Sequence, residues 1–544
     1  MTFQYFASRT IRLASVLAAM VLAAGGCSSD DVATSPDAQG CANLAATRFT
    51  DTTVQKTQFV AAGADLQPIT GSAGKAAAAF CRVVATVGSE PDEHVGIEVW
   101  LPASNWNGRL LGTGSGGFGG AIVYGGLMSA IANGYAAANT DTGHLGGASG
   151  AIGQVLGWAV DPVQLRDWGR TSVHLMTVSA KAIVHAFYGQ GAQHAYFEGC
   201  STGGNEAMAE AEFYPDDYDG IHAGSPGMGY SHLMESFLWG GLLPSTQPEA
   251  TLTPAAMALL NDAVLNQCGG SQAAGDGFLA NPLACSFDVT RLQCAAGQDP
   301  ASCLSAAQVR QAQRLYSPVR NTVDGSEIYP GFAFGSERRW ASIQGALIGA
   351  YAQPLLANTV FGDPNWDWTR FDFGQDAARV DAMLTPKINS TNPDLSAFAA
   401  RGGKLIMTQG WVDSLNAQTL PIEYFEQVAA RQGGIDATTP FFRVVMVPGM
   451  DHCGGGPGAN TIGGAVPPLR GDASRDVVAG LRAWVEGGVA PDGFVATKYV
   501  DDNPASGVAF ERPVCVYPAY PRYRGTGDRN AAASYQCVAG PRLQ

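Results

Sequence analysis

Ser201 is the only serine in the chain with glycine at both the second position before it and the second after it, in Gly199-Cys200-Ser201-Thr202-Gly203. A residue held on a tight turn between a strand and a helix sits in a strained backbone conformation. Side chains at those two flanking positions would collide with the adjoining strand and helix, so the glycines have a steric reason. The flanks agree with such a turn. Ala195 to Phe197 reads as a short strand running into it, and Asn205 to Phe213 reads as the helix that follows. In a chain with 69 glycines the five-residue pattern alone could arise by chance in a loop, and these flanks argue against that.

The surrounding sequence has the rhythm of an open α/β sheet. Gly96 to Leu101, Arg109 to Gly112 and Tyr135 to Asn139 are apolar or alternating runs that end in turn residues, so each reads as a strand. Leu165 to Tyr188 carries apolar residues at helical spacing and stops at Gly189. From 226 to 395 the texture changes to four cysteines, several tryptophans and prolines and little strand pattern, which reads as an inserted cap, or lid. The sheet is expected to resume at Lys404 to Thr408 and Arg443 to Val447. The domain expectation is therefore a core of residues 41–225 and 396–544, with 226–395 inserted.

A serine hydroxyl is a poor nucleophile at neutral pH and needs a base. Of eight histidines, seven lie at or before His232, and His452 alone follows, in a loop just beyond the strand Arg443 to Val447. In an α/β-hydrolase fold the order is serine, acid, histidine, which selects His452. The acid should lie between them at a strand end, where Asp413 follows Lys404 to Thr408. Asp451 is adjacent to the histidine and badly placed to reach its Nδ1, and Asp436 precedes its strand.

Cys200 precedes the serine and Cys453 follows the histidine. A bond between them would hold their Cα atoms about 4.4 to 6.8 Å apart and force the two loops together. Closing so long a loop would contribute roughly 5 kcal/mol in the chain-entropy model. Two free buried thiols are the alternative. For a developing oxyanion, the backbone of Thr202 is one expected donor. A second is expected from Gly116 or Gly117 in the glycine-rich stretch 112–120. That stretch lacks the lysine and the spacing of a phosphate or dinucleotide cradle.

The amino terminus has Arg9, Arg12, the apolar run Leu13 to Ala24 and then Gly25-Gly26-Cys27, the layout of an export signal over residues 1–27. The small residues before Cys27 resemble a lipoprotein signal, which would make Cys27 a lipidation site, although Ala24 stands where leucine is usual. Cleavage without lipid is the alternative. A membrane span needs roughly 20 apolar residues, so membrane attachment is expected only through a lipid. Residues 28–40 read as a flexible tether. With Cys27 assigned to a lipid, ten cysteines remain, and export makes disulfides the default. The net charge of −15, with 32 basic against 47 acidic residues, disfavours a nucleic-acid partner.

The chain resembles the tannase and feruloyl esterase family, which also includes mono(hydroxyethyl) terephthalate hydrolases. The resemblance covers nearly everything after residue 41 and is carried by 134–144 (GYAAANTDTGH), Gly199 to Gly204, 214–221 (YPDDYDGI), 410–413 (GWVD) and 448–456 (PGMDHCGGG). It implies hydrolysis of esters of aromatic acids through an acyl-enzyme, without a redox or organic cofactor. It also implies the Cys200–Cys453 bond and the pairs Cys41–Cys81, Cys268–Cys285, Cys294–Cys303 and Cys515–Cys537.

One departure concerns a calcium loop that the family carries in its cap. Here Gly269 and Gln272 replace two of the expected carboxylates, leaving Asp276 and a doubtful site, because a hard dication needs several charged oxygens. Trp340, Trp366, Trp368 and Phe371 are candidate walls for an aromatic acyl group, or equally cap core. Arg338 or Arg339 is a candidate partner for a substrate carboxylate. The rival expectations are an esterase on non-aromatic esters and a lipid-tethered surface protein that binds without catalysis.

Overall fold

In a computed structural model of the chain, the structure describes residues 37–71, 74–463 and 471–543. The expected signal, the lipidation site Cys27 and most of the 28–40 tether lie outside these residues. Helix already begins at Ala38, capped by the Asp37 carboxylate on the amide of Gly40, so order starts inside the expected tether.

The frame is a nine-stranded sheet. Its strands are β1 (Thr52–Val60), β2 (Phe80–Val87), β3 (Val95–Pro102), β4 (Arg109–Thr113), β5 (Ala136–Thr140), β6 (His194–Cys200), β7 (Gly220–Gly224), β8 (Lys404–Gly410) and β9 (Phe442–Val447). The spatial order is β1-β2-β3-β5-β4-β6-β7-β8-β9. From β5 to β9 neighbours are parallel, and β1, β2 and β3 extend the sheet antiparallel. This is the α/β-hydrolase arrangement. Parallel strands require crossovers, which cover both faces, and the central strands are accordingly apolar on both sides.

The alternation is visible residue by residue. Leu110, Ala136, Phe197, Leu405 and Met407 face one core, packed with the helix Ser172–Tyr188 and with α2, introduced below. Leu111, Ala137, Tyr196, Ile406 and Val445 face the other, packed under α1 (Tyr124–Ala132) and α3 (Val477–Gly487). The helix α2 (Thr202–Phe213) follows β6 directly.

No strand of the main sheet comes from residues 225–403. That stretch builds helices such as Tyr230–Thr246, Pro254–Asp276 and Ala306–Tyr316, and its apolar residues form a third core shared with Phe118, Trp158 and Trp168. All ten cysteines from Cys41 onward are paired as the resemblance implied: Cys41–Cys81, Cys200–Cys453, Cys268–Cys285, Cys294–Cys303 and Cys515–Cys537. Among the described residues no helix is long and apolar enough to cross a membrane.

Candidate active site

β6 ends at Cys200 and α2 starts at Thr202, so one residue makes the whole turn. Ser201 makes it at φ +65° and ψ −118°, a conformation that L side chains rarely adopt. The flanking glycines are required by contact. A Cβ at Gly199 would lie 2.4 Å from the carbonyl oxygen of Gly203, and one at Gly203 would lie 2.9 Å from that of Ser115. The turn also puts Ser201 at the amino end of α2, where the helix dipole favours developing negative charge.

Asp413 follows β8 and His452 follows β9, so two neighbouring parallel strands deliver them side by side. His452 Nδ1 is 2.9 Å from Asp413 Oδ2 and 3.2 Å from Oδ1. The Asp413 carboxylate is fully buried and accepts hydrogen bonds from the amides of Leu415 and Asn416 and from Gln409 Nε2. Burial alone would raise its pKa, but the imidazole and the two amides hold it below the ordinary carboxylate range. Burial works to lower the pKa of His452, and the Asp413 carboxylate overrides it, so the imidazole titrates above its ordinary value. The other ring nitrogen, Nε2, is buried without a hydrogen-bond partner.

The Cys200–Cys453 bridge joins the serine turn to the histidine loop, with Cα atoms 5.9 Å apart. A family pattern described as "Tannase and feruloyl esterase" matches residues 81–538. The chain belongs to the tannase and feruloyl esterase family.

Relatives extend over nearly the same span. An uncharacterized esterase of Xanthomonas campestris pv. campestris is 35% identical, covering 92% of this chain and 92% of its own. A probable feruloyl esterase B-2 of Aspergillus terreus is 31% identical over 84% of this chain and 86% of its own. The crystal structure of feruloyl esterase B from Aspergillus oryzae superposes with a TM-score of 0.84 at 29% identity, over 92% of this chain and 99% of that one. The protein is a carboxylic-ester hydrolase of the feruloyl esterase and tannase type.

In this esterase a cavity of about 400 Å³ opens at Ser201. Gly116 lines it and Gly117 does not; the Gly117 carbonyl is taken by Thr202 Oγ1 at 2.6 Å. The glycine-rich loop is clamped to α2 by Glu206, whose buried carboxylate accepts both the amide of Ser115, at 2.9 Å, and its hydroxyl. Sequence reading missed Glu206, because only the fold brings α2 under residues 114–117. Asp451, badly placed in the sequence to reach Nδ1 of the histidine, makes other contacts. Its Oδ1 instead accepts the amides of Ser414 and His452, and its Oδ2 lies 3.3 Å from Arg339 Nε.

The candidate wall residues are elsewhere. Trp340 is fully buried in the core of the inserted segment, with Nε1 donating to Ser336 Oγ. Trp366 stacks on Phe361, Phe371 packs against Phe373, and Trp368 lies partly buried beside the same core. None of the four lines the cavity at Ser201. Arg338 pairs with Asp262 at 2.6 Å, and Arg339 with Asp451. Asp276 is held by Arg512 Nη2 at 3.2 Å. With that carboxylate already paired and Gly269 and Gln272 nearby in the chain, the donor set there does not fit a hard dication.

Proposed function

We propose that this esterase works through a covalent acyl-enzyme on Ser201. The observation that carries the reading is the pairing of His452 Nδ1 with Asp413 at 2.9 Å, with Nε2 left unpaired on a loop bonded to the serine turn. His452 Nε2 takes the hydroxyl proton as Ser201 Oγ attacks the ester carbonyl, and Asp413 holds the ring in the tautomer this requires. The carbonyl oxygen becomes an oxyanion held by backbone amides of Thr202 and Gly116. His452 returns the proton to the leaving alcohol. It then deprotonates a water that attacks the acyl carbon, and the acid leaves with Ser201 restored.

The substrates of this reading are esters of aromatic acids of the feruloyl, galloyl or terephthaloyl kind, in line with the names of the relatives. The reading calls on no redox or organic cofactor, and its partner is the small-molecule ester rather than nucleic acid. Five disulfides support residence in an oxidising compartment outside the cytoplasm. The segment ending at Cys27 supports export, with a lipid on that cysteine as the anchor.

Rapid mixing with p-nitrophenyl acetate tests the mechanism. Wild type should release a burst of nitrophenol equal to the enzyme present, and Ser201→Ala none. A wild type as silent as Ser201→Ala would defeat the reading. A panel of methyl gallate, methyl ferulate and hydroxyethyl terephthalate esters then ranks the acids.

A further inference from the structure

The carboxylate of Asp276 closes the helix Pro254–Asp276, at the end where the helix's own carbonyls already concentrate negative charge. A carboxylate there is unfavourable without a cation beside it. The cation comes from far along the chain. Arg512 lies on the strand Val508–Cys515 and is 5% exposed, and its Nη2 is 3.2 Å from Asp276 Oδ1.

The guanidinium is held by its surroundings. Its central carbon lies 4.6 Å from the centroid of the Phe510 ring and 4.5 Å from that of Tyr535, and Nη1 donates to the carbonyl of Glu511 at 3.0 Å. A planar, weakly hydrated and permanently charged group suits such a stacked and buried position. The Cys515–Cys537 bridge joins the strands that carry Arg512 and Tyr535. Arg512 lines the same cavity, of about 180 Å³, as Gly269, Gln272 and Asp276. A dication there would meet a fixed positive charge as well as a shortage of carboxylates.

The contact also reaches the histidine loop. Pro448, which opens that loop, lines the cavity. Phe278, two residues beyond Asp276, packs so closely on Gly449 that a Cβ there would lie 2.7 Å from the ring. His452 follows three residues later.

We propose that Arg512 is a built-in cation standing in for a metal ion, which locks the end of the helix Pro254–Asp276 to the carboxy-terminal strands and, through Phe278, steadies the loop of His452. The fold is then independent of calcium, and Arg512 is a positioning residue for the reaction. Its effect on turnover rests on the serine-esterase reading above, and its effect on unfolding does not.

The first test needs no variant. Wild type dialysed against EDTA should unfold at the same temperature, and turn over at the same kcat, as wild type given calcium in millimolar excess. A midpoint that falls in EDTA and returns with calcium overturns the proposal. Arg512→Met removes the charge, keeps the apolar stem and leaves Asp276 without a partner. It should lower the unfolding midpoint by about 2 to 4 °C. It should also lower kcat about tenfold with KM nearly unchanged, as a displaced catalytic loop does. Arg512→Lys restores the charge without the planar fork and should recover part of both losses. Asp276→Asn added to Arg512→Met should cost little more, because the pair is already broken. Losses that add in full, or a wild-type midpoint in Arg512→Met, overturn the lock. A lowered midpoint with unchanged kcat overturns the positioning role. Failure of the serine reading is distinguishable, because Ser201→Ala would then hydrolyse esters like wild type while the unfolding results stand.

Discussion

The Asp451 carboxylate accepts the backbone amide of Ser414 at 2.9 Å, so the loop that carries the acid and the loop that carries the imidazole share one anchor. The same oxygen accepts the amide of His452 at 2.8 Å. Asp451 is therefore a positioning residue, and its substitution should be felt in turnover. Asp451→Ala should lower kcat about tenfold or more with little change in KM, since a small misplacement of reacting groups is expensive in rate. Asp451→Asn keeps an oxygen acceptor and should recover much of the loss. Its partner Arg339 is half-exposed, and an exposed pair contributes little, so Arg339→Ala should leave kcat close to wild type. Equal losses in Asp451→Asn and Asp451→Ala would argue against the shared anchor.

The pH dependence follows from the same pair of loops. Histidine is a base only when neutral, and Asp413 raises the pKa of His452 above its ordinary value against the opposing effect of burial. Activity should therefore be present at high pH and lost as pH falls through a midpoint above about 6.5, the unperturbed histidine value. In Asp413→Asn the raising charge is gone and burial remains, so the midpoint should move to lower pH. Turnover should also fall by about ten-thousand-fold, because the ring loses its orienting partner. The profile of kcat/KM against pH for both proteins checks this, and an unmoved midpoint in Asp413→Asn contradicts it.

How much of this was legible in the sequence depends on whether a residue's constraint is local. Gly199 is dictated by the carbonyl of Gly203, four residues on, whereas Gly203 meets Ser115 from a distant part of the chain and was legible only as the second glycine of the strand–turn–helix pattern. His452 and Asp413 were legible because strand ends must deliver them in a fixed chain order. The edge strand β1 was not, since its burial follows no clean alternation and four of its nine residues are exposed. The pairing of Glu198 with His222 depends on register across separate parallel strands, and Glu206 on a contact between residues about ninety apart. Large aromatics are ambiguous for another reason, because a pocket wall and a core make the same demand on a side chain.

Trp340 gives that ambiguity a measurable consequence. It is fully buried, packed edge-on to Tyr316 and near Phe332, and is not among the residues that line the cavity at Ser201. Trp340→Ala should cost about 3 to 5 kcal/mol of stability, as deletion of a buried indole does. The ranking of aromatic esters by the folded enzyme should stay the same. Thermal unfolding and the ester panel check the two halves, and a changed ranking with unchanged stability would return Trp340 to the substrate.

Glu206 ties the glycine-rich loop to the helix that begins after Ser201, and both atoms it holds belong to Ser115, next to Gly116. It is buried, and burial pushes its pKa up while the two bonds from Ser115 work against that rise. In Glu206→Ala the Ser115 amide and hydroxyl lose their acceptor, and the neighbouring Gly116 loses the clamp on its loop. An oxyanion donor matters most in the transition state, so the loss should fall on kcat and leave KM nearly unchanged. Displacing the donor without deleting it should cost about ten- to a hundredfold in the acylation rate seen in the nitrophenol burst. Glu206→Gln retains one carbonyl oxygen for the Ser115 amide and should fall between Glu206→Ala and wild type. A loss confined to KM, or none in Glu206→Ala, would mean that the glycine loop holds its place without the clamp.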